Sequence, residues 1–264
     1  MKPFAKKRFG QNFLIDLNIL KKIVKTISPQ QGEIIVEIGP GKGALTELLV
    51  NSKATIHAIE IDEDLIPELK EKFIDHPNFH LHNHDALKFD YQNIIESGKK
   101  IRFVGNIPYN ISSQLLFMIF EIANLVTDIH FMIQKEIAQR IAAKSGSKNY
   151  GILSVISSFY GNPKMEFTVS PNVFRPIPKV NSALFSIFIN PKKIPDIETT
   201  TFKNVVKTAF NKRRKTLKNS LKDILPKNPA NCPIDLSRRP ETLELKEFLF
   251  LTQYVLSQQN NRDN

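Results

Sequence analysis

The stretch Glu33-Ile34-Ile35-Val36-Glu37-Ile38-Gly39-Pro40-Gly41-Lys42-Gly43 is the most informative part of this 264-residue chain for its fold. A short apolar run followed by glycines at alternate positions is typical of a buried strand and a tight turn, because glycine adopts the backbone angles that such a turn needs. Glycine also lets the backbone approach a ligand closely. The stretch therefore predicts a strand and a ligand-binding turn, although a glycine-rich turn alone is weak evidence for a ligand.

Short apolar segments alternate with helical segments after this turn. Such alternation predicts an α/β fold with a doubly wound parallel sheet, whose ligands gather at the carboxyl ends of the strands. Two further strands, separated by the Pro-rich loop 170–180, predict an antiparallel hairpin at the sheet edge. The predicted strands are 34–38, 55–61, 79–81, 101–104, 129–133, 165–169 and 183–189, with helices near 44–50, 65–73, 114–124, 136–143 and 151–159.

The polar, Pro-containing stretch 190–201 predicts a domain boundary. The first domain, residues 1–195, starts with a basic arm and continues into an amphipathic helix that Asp16 caps and Pro29 ends. The second domain, residues 196–264, is expected to be small, basic and helical, with helices at 202–210, 215–225 and 243–256.

The charge balance favours a polyanionic partner. Lysine and arginine number 37 against 26 aspartate and glutamate residues, which gives a formal net charge of +11 and an isoelectric point near 9.6. Neutralising phosphates releases counterions, so RNA is the first expected partner. An excess of charge can also serve only solubility, and the position of the cations must decide between the two interpretations.

Two features indicate a cytoplasmic protein. The single cysteine, Cys232, cannot form an internal disulfide, which fits a reducing compartment. The basic N-terminus runs into Phe9-Gly10-Gln11-Asn12 without an apolar signal segment, and the apolar run 115–126 is short and interrupted by Glu121 and Asn124. We therefore expect no membrane span.

Two more strand ends carry a carboxylate. Glu60 follows the glycine turn by about twenty residues, where it could accept both ribose hydroxyl protons, and Asp85 ends the next strand, where it could accept from an adenine amine. A dinucleotide site needs a turn shaped for a pyrophosphate, but here the third glycine comes one position early and Pro40 stiffens the turn. Gly39, Glu60 and Asp85 therefore fit S-adenosylmethionine better than NAD, although a solvated surface role for Glu60 stays open.

The segment Asn106-Ile107-Pro108-Tyr109 follows another buried strand. It presents carbonyl acceptors beside a flat aromatic ring, a combination that suits a planar base with an exocyclic amine. The four residues alone fit an alternative about equally well. In that alternative the segment is a plain turn, its Asn caps the next helix and its Tyr belongs to the core.

Alternating histidines precede Asp85, and strand geometry places His80, His82 and His84 on one face. Ligands spread along one straight strand do not converge on a single ion, so a polar face is the preferred interpretation and no metal is expected.

A cluster of cations marks the junction of two predicted tail helices. A dense cluster gains more from counterion release than scattered lysines do, although a solvated helix face would have the same composition. The basic N-terminal arm could add a second RNA-binding wall. The candidate RNA-binding residues are Lys6, Lys7, Arg8, Lys212, Arg213, Arg214, Lys215 and Lys218.

Taken together, these segments resemble the KsgA-type ribosomal RNA small-subunit adenine dimethyltransferases over nearly the whole chain. One departure is Ile177, where the family loop usually continues as a run of prolines. The segments that carry the resemblance are Arg8 to Leu14, Val36 to Gly41, Asn106 to Ser112, Phe131 to Glu136, Tyr150-Gly151, Leu153 to Val155, Pro178 to Ser182 and Phe210 to Leu221.

The resemblance implies a Rossmann-like class I methyltransferase that uses S-adenosylmethionine to dimethylate N6 of two adjacent adenosines near the 3′ end of 16S rRNA. The implied partner is that RNA within the small ribosomal subunit or its precursor, and we expect a monomer. By the same likeness Asn12 and Leu14 join Gly39, Gly41, Glu60, Asp85 and Asn106 in holding the cofactor, with Asn106 to Tyr109 at the chemistry.

Three rival functions share part of these features. Erm-type 23S rRNA methyltransferases share the front motifs, but 213–217 and 239–243 resemble the KsgA tail. A nucleic-acid-binding factor could keep the fold without the activity, although the intact set of Glu60, Asp85 and Asn106 speaks against it. An NAD-dependent oxidoreductase would bind NAD and have no affinity for S-adenosylhomocysteine.

Overall fold

The structure is a computed structural model that describes residues 11–96, 98–190, 197–212, 214–226, 229 and 231–260, without the side chains of 259 and 260. The chain divides into two compact units, Met1–Ala138 with Lys164–Ile189 and Gln139–Pro163 with Asn190–Asn264. The later of the two segments of the second unit begins at Asn190, close to the predicted boundary at 195. The second unit also includes residues 139–163, which were predicted to lie in the first domain.

A seven-stranded sheet forms the centre of the first unit, and a two-stranded sheet accompanies it. The large sheet has the strand order β4-β3-β2-β5-β6-β9-β7, and the small sheet pairs β1 with β8. The strands are β1 (Phe13–Leu14), β2 (Ile34–Ile38), β3 (Thr55–Glu60), β4 (Phe79–Asn83), β5 (Ile101–Asn106), β6 (Val126–Gln134), β7 (Gly161–Val169), β8 (Phe174–Arg175) and β9 (Ser182–Ile189).

The helices follow the predicted pattern with shifted ends. The first is capped as predicted, because Asp16 Oδ1 accepts the N–H groups of Asn18 and Ile19 at 2.9 and 3.0 Å. The helices are α1 (Leu17–Ile27), α2 (Thr46–Leu49), α3 (Ile66–Lys72), α4 (Ser112–Glu121), α5 (Lys135–Ile141), α6 (Ile152–Tyr160), α7 (Thr199–Asn211), α8 (Leu217–Ser220) and α9 (Leu245–Asn260).

Parallel pairing governs most of the large sheet. β2 pairs in parallel with β3 and with β5, β3 with β4, and β5 with β6, whereas β9 runs antiparallel to β6. All five residues of β2 are buried, as expected for a strand covered on both faces. The predicted α/β class is confirmed, and β7 and β9, the two strands of the predicted hairpin, are neighbours at one edge of the sheet. The carboxyl ends of β2 to β5 share one edge of the sheet.

Aromatic packing explains why residues 139–163 belong with the tail helices. Phe159 of α6 stacks on Phe202 of α7, with ring centroids 4.4 Å apart. Phe210 of α7 stacks on Phe248 of α9 at 5.8 Å and meets Tyr150 edge to face at 6.1 Å. These apolar faces cover one another within the second unit.

The second predicted tail helix is wrong in length. It was expected over 215–225, but α8 ends at Ser220 and turns follow. Its first N–H groups, on Leu217 and Lys218, donate to the carbonyls of Arg238 and Leu236 at 2.8 and 2.9 Å. A loop distant in sequence thus anchors the start of α8, a constraint that helical periodicity does not reveal.

A buried ion cluster joins α1 to the amino ends of β5 and β6. The guanidinium of Arg102 donates to both oxygens of Asp128 at 2.9 to 3.1 Å, to Glu33 at 2.6 Å and to the Ile27 carbonyl at 2.6 Å. Arg102 is 6% exposed and Asp128 1%, so each charge depends on the other for compensation.

Replacing Arg102 by Met should therefore destabilise the protein. Loss of the guanidinium removes three hydrogen bonds from the buried carboxylate of Asp128, and we expect the free energy of unfolding to fall by about 3 to 5 kcal/mol. Urea unfolding followed by circular dichroism measures the change. The exposed neighbour Lys100 serves as the control, since Lys100→Met should change stability by less than about 0.5 kcal/mol. A similarly small loss for Arg102→Met would contradict this role.

Candidate active site

A cavity of about 500 Å³ opens at the carboxyl ends of the parallel strands. Residues after β2, β3, β4 and β5 line it, together with residues 11–15 and part of α1. Every residue predicted to bind the cofactor or carry the chemistry lines this one cavity: Asn12, Leu14, Gly39, Gly41, Glu60, Asp85, Asn106, Ile107, Pro108 and Tyr109. Its volume lies within the roughly 300 to 1,000 Å³ of small-molecule sites.

The glycine turn after β2 needs left-handed backbone. Gly39 and Gly41 have φ of +65° and +59°, which glycine alone adopts without strain. A Cβ on Gly41 would also lie 2.9 Å from the Phe13 ring. The turn therefore packs closely against the N-terminal segment, and both form the cavity wall.

Glu60 is built into this turn. Its carboxylate accepts the Gly41 N–H at 3.1 Å through Oε2 and the Asp62 N–H at 2.9 Å through Oε1. The side chain is buried, and burial raises its pKa against the effect of these hydrogen bonds. A solvated surface role is therefore wrong for Glu60, which is held in position before any ligand arrives.

Glu37, in the stretch 33–43, also lines the cavity. No role was predicted for it from the sequence. It is 2% exposed, and Thr46 Oγ1 donates to its Oε2 at 2.6 Å. Burial raises the pKa of Glu37 to about 7, and the nearby Glu60 carboxylate adds to the rise. The sequence does carry a signal, because an acid in the middle of the buried run 34–38 must face something polar.

Asp85 is half-buried at the end of β4. Its Oδ1 accepts the Leu87 N–H at 2.9 Å, and Lys88 Nζ lies 3.9 Å from its Oδ2. The carboxylate is thus oriented by the local turn, and its long contact with the exposed Lys88 is a weak one.

Asn106 ends β5 with its amide already oriented. Its Nδ2 donates to the Asn12 carbonyl at 2.7 Å, which leaves Oδ1 as the acceptor on the other side of the amide. The next N–H, on Ile107, donates to the Met132 carbonyl at 2.9 Å. The alternative of a simple helix cap is wrong, because no side-chain cap bond starts α4.

Tyr109 is tethered at its hydroxyl. The phenol oxygen lies 2.8 Å from Ser182 Oγ, and burial raises the phenol pKa. The ring is half-buried and lines the cavity, so it does not belong to the sealed core. In the sequence, Ser182 stands out only as the last residue of the 178–182 loop, and nothing there links it to Tyr109.

The tail cations are exposed where the structure describes them. Lys212, Arg214, Lys215 and Lys218 have no ion pair with a carboxylate of the described residues. Arg213, and Lys6, Lys7 and Arg8 of the predicted second wall, lie outside the described residues.

The histidine row acquires a fourth member from the neighbouring strand. His57 of β3 stacks on His80 and His82, with centroids 4.8 and 5.2 Å apart, and His57 Nδ1 lies 3.0 Å from His82 Nε2. Among the described residues, no group of three His, Cys, Asp or Glu side chains is arranged to hold a metal ion. Within the described part of the chain, no helix is both long and apolar enough to cross a membrane.

Comparison with known proteins identifies the family. The profile of the ribosomal RNA adenine dimethylases matches residues 4–255. The chain belongs to this family. A relative from Pseudomonas aeruginosa, named ribosomal RNA small subunit methyltransferase A, is 44% identical over 261 residues and covers 98% of this chain and 97% of its own. A relative of the same name from Nitrosococcus oceani is 42% identical over 257 residues, with 97% of both chains covered.

Solved structures support the fold of this dimethylase family member. A dimethyladenosine transferase from Plasmodium falciparum superposes with a TM-score of 0.79 at 24% identity, over 95% of this chain and 98% of that one. The 23S rRNA methyltransferase ErmE superposes with a TM-score of 0.72 at 23% identity, over 92% and 99%. Both superpositions cover nearly the whole chain and therefore support the α/β fold.

Replacing Glu37 by Gln tests the cost of burying its charge. Because the folded pKa of about 7 lies above the reference value of 4.5, the stability that Glu37 contributes is complete below about pH 4.5 and is lost as pH rises through 7. Glu37→Gln should therefore raise the free energy of unfolding at pH 8 by about 2 to 4 kcal/mol and change it little at pH 5. Denaturant unfolding at both pH values, with the exposed Glu63→Gln as control, measures this. If Glu37→Gln had the same free energy of unfolding as the wild type at both pH values, the raised pKa of Glu37 would be refuted.

Proposed function

We propose that this protein transfers methyl groups from S-adenosylmethionine to N6 of two adjacent adenosines near the 3′ end of 16S rRNA. The observation that carries the proposal is the oriented Asn106 amide, which lies in the same cavity as the carboxylates of Glu37, Glu60 and Asp85. Family membership and the names of the small-subunit relatives support this substrate. We expect the protein to act in the cytoplasm, as a monomer, on the small subunit or its precursor.

The lining of the cavity fits S-adenosylmethionine. The cofactor carries an ammonium and a sulfonium charge, and buried carboxylates whose pKa is raised by burial favour a cationic ligand. Gly39 and Gly41 would hold the amino-acid part, Glu60 the ribose and Asp85 the adenine amine, with Asn12 and Leu14 along the other side. When bound, the cofactor supplies an electrophilic methyl group on a sulfonium that is already a good leaving group.

The residues after β5 would orient the target amine. An adenine amine is a poor nucleophile because its lone pair is delocalised into the ring, so the site must polarise it. Asn106 Oδ1 would accept a hydrogen bond from one N6–H and a backbone carbonyl would accept one from the other, which favours a pyramidal nitrogen. The Pro108 carbonyl already accepts the Ile111 N–H at 3.2 Å, so the carbonyl of Ile107 is the better placed of these two candidate acceptors.

Tyr109 would stack on the adenine once the base has left its RNA helix. Base stacking on an aromatic ring contributes roughly 1 to 3 kcal/mol in nucleic-acid-binding proteins. Because the second methyl group goes to the same nitrogen, the surroundings of Asn106 and Tyr109 must also admit a monomethylated amine.

Labelled S-adenosylmethionine and purified ribosomal particles test the assignment. Small-subunit particles that lack the modification should gain label on two adjacent adenosines, and 23S rRNA should gain none. Label on 23S rRNA instead would favour the Erm-type alternative. Tight particle binding without label would favour a non-catalytic factor, and affinity for NAD without affinity for S-adenosylhomocysteine would favour an oxidoreductase.

The variant Asn106→Ala should lose most of its turnover. Removing a hydrogen-bond acceptor from the developing charge typically lowers kcat by about 100- to 1,000-fold. Binding of small-subunit particles should persist, because phosphate contacts supply most of it. Asn93→Ala, the same change in an exposed turn, is the control and should turn over normally. Wild-type kcat in Asn106→Ala would remove Asn106 from the mechanism.

The tail cations should set the salt dependence of RNA binding. Replacing both Arg214 and Lys215 by Gln should weaken particle binding and reduce the slope of log K against log salt by about 1 to 2, since each lost phosphate contact removes nearly one released counterion. Lys25→Gln with Lys100→Gln removes the same charge near the amino edge of the sheet and is the control. An unchanged slope in the tail variant would show that the cluster is a solvated face.

A further inference from the structure

The hydrogen bond between Tyr109 and Ser182 lies within the proposed site but has no assigned role. Ser182 is the first residue of β9 and is 0% exposed. It stands opposite Gln134 in the β6–β9 register, and the carbonyl of the preceding Asn181 accepts the Lys135 N–H at 2.9 Å. The backbone that carries the Ser182 hydroxyl is thus fixed by the sheet, whereas Tyr109 lies in a turn beyond the end of β5.

A bond at the phenol oxygen restrains the whole ring. The hydroxyl lies on the axis through Cβ, Cγ and Cζ, so fixing the oxygen fixes the direction in which the side chain leaves the backbone and leaves only rotation about that axis. The backbone end is held as well, since Ser112 Oγ donates to the Tyr109 carbonyl at 3.2 Å. Both ends of the side chain are therefore tied while the ring itself stays half-exposed to the cavity.

We propose that Ser182 is a positioning residue that holds the Tyr109 ring ready to receive the target adenine. The inference rests on the proposed function, because it needs a planar base to enter the cavity beside Asn106. Ser182 does not touch the reacting atoms. An untethered ring would lose conformational freedom each time a base stacks on it. The bond to Ser182 removes that freedom beforehand, and such preorganisation strengthens the productive complex without adding a contact.

A double-mutant cycle tests the proposal. Ser182→Ala and Tyr109→Phe each remove one partner of the bond and keep the stacking ring. Each should lower kcat on unmodified small-subunit particles by about threefold to tenfold, the range expected when one side chain loses its preorganisation. KM for the particle and Kd for S-adenosylhomocysteine should stay within about twofold, because phosphate contacts and the cofactor residues are untouched. The double variant should be no slower than the slower single variant, since both changes break the same bond.

Ser186→Ala is the matched control. Ser186 lies on the same strand, is also 0% exposed, and donates to Glu166 Oε1 at 2.7 Å, so its loss removes a buried hydroxyl bond away from Tyr109. This variant should keep wild-type kcat even if its melting temperature falls. Should Ser182→Ala fail to fold, Tyr109→Phe alone decides the matter through its kcat.

Two results would overturn the proposal. One is wild-type kcat in Ser182→Ala or Tyr109→Phe. The other is a double variant whose loss equals the product of the two single losses. Failure of the proposed function is a separate result, because wild-type protein would then transfer no methyl group to the particles in the same assay while still binding S-adenosylhomocysteine.

Discussion

The parallel pairing of β2 with β3 on one side and β5 on the other is what brings the parts of the cavity together. Ile38 stands opposite Ile59, and Glu37 opposite Val104. Because parallel strands end at the same edge of a sheet, the turns after all three strands open into one cavity. A slip of one residue would turn every side chain to the other face and take Glu37 out of the cavity.

Close backbone approach makes this edge compact enough to form a site. A Cβ on Gly105 would lie 2.5 Å from the Ile38 carbonyl oxygen, so only glycine lets the ends of β5 and β2 come together. At Gly41 a Cβ would lie 2.9 Å from the Phe13 ring, so the glycine turn also packs closely against the N-terminal segment. The N-terminal segment can therefore close over the turn, and from there its Asn12 carbonyl reaches the Asn106 amide. Local steric freedom at two glycines thus determines how the side chains around the proposed methyl-transfer site meet.

The net charge of +11 conceals two opposite electrostatic environments. The cavity contains the carboxylates of Glu37, Glu60 and Asp85, and burial raises the pKa of the first two. The exposed tail cations Lys212, Arg214, Lys215 and Lys218 have no paired carboxylate among the described residues. An acidic interior suits a cationic small molecule, and a basic exterior suits a polyanion. Together, these two environments fit a cationic methyl donor and an RNA better than they fit a dinucleotide with its pyrophosphate.

Local patterns in the sequence were enough to predict the α/β class, the approximate positions of the seven strands of the large sheet and several residues of the cavity, because apolar periodicity and glycine turns mark strand ends. Asn12 and Leu14 came from the family resemblance instead, and Glu37 was missed. Local patterns were not enough to predict how the cavity residues are held. The bonds from Asn106 to Asn12 and from Tyr109 to Ser182 join residues 94 and 73 positions apart, and the two-residue strands β1 and β8 are too short to show a pattern. The grouping of 139–163 with the tail and the anchoring of the start of α8 likewise follow from packing and hydrogen bonds between distant segments. These features depend on tertiary contacts, and a contact between distant residues leaves no periodic trace in either segment.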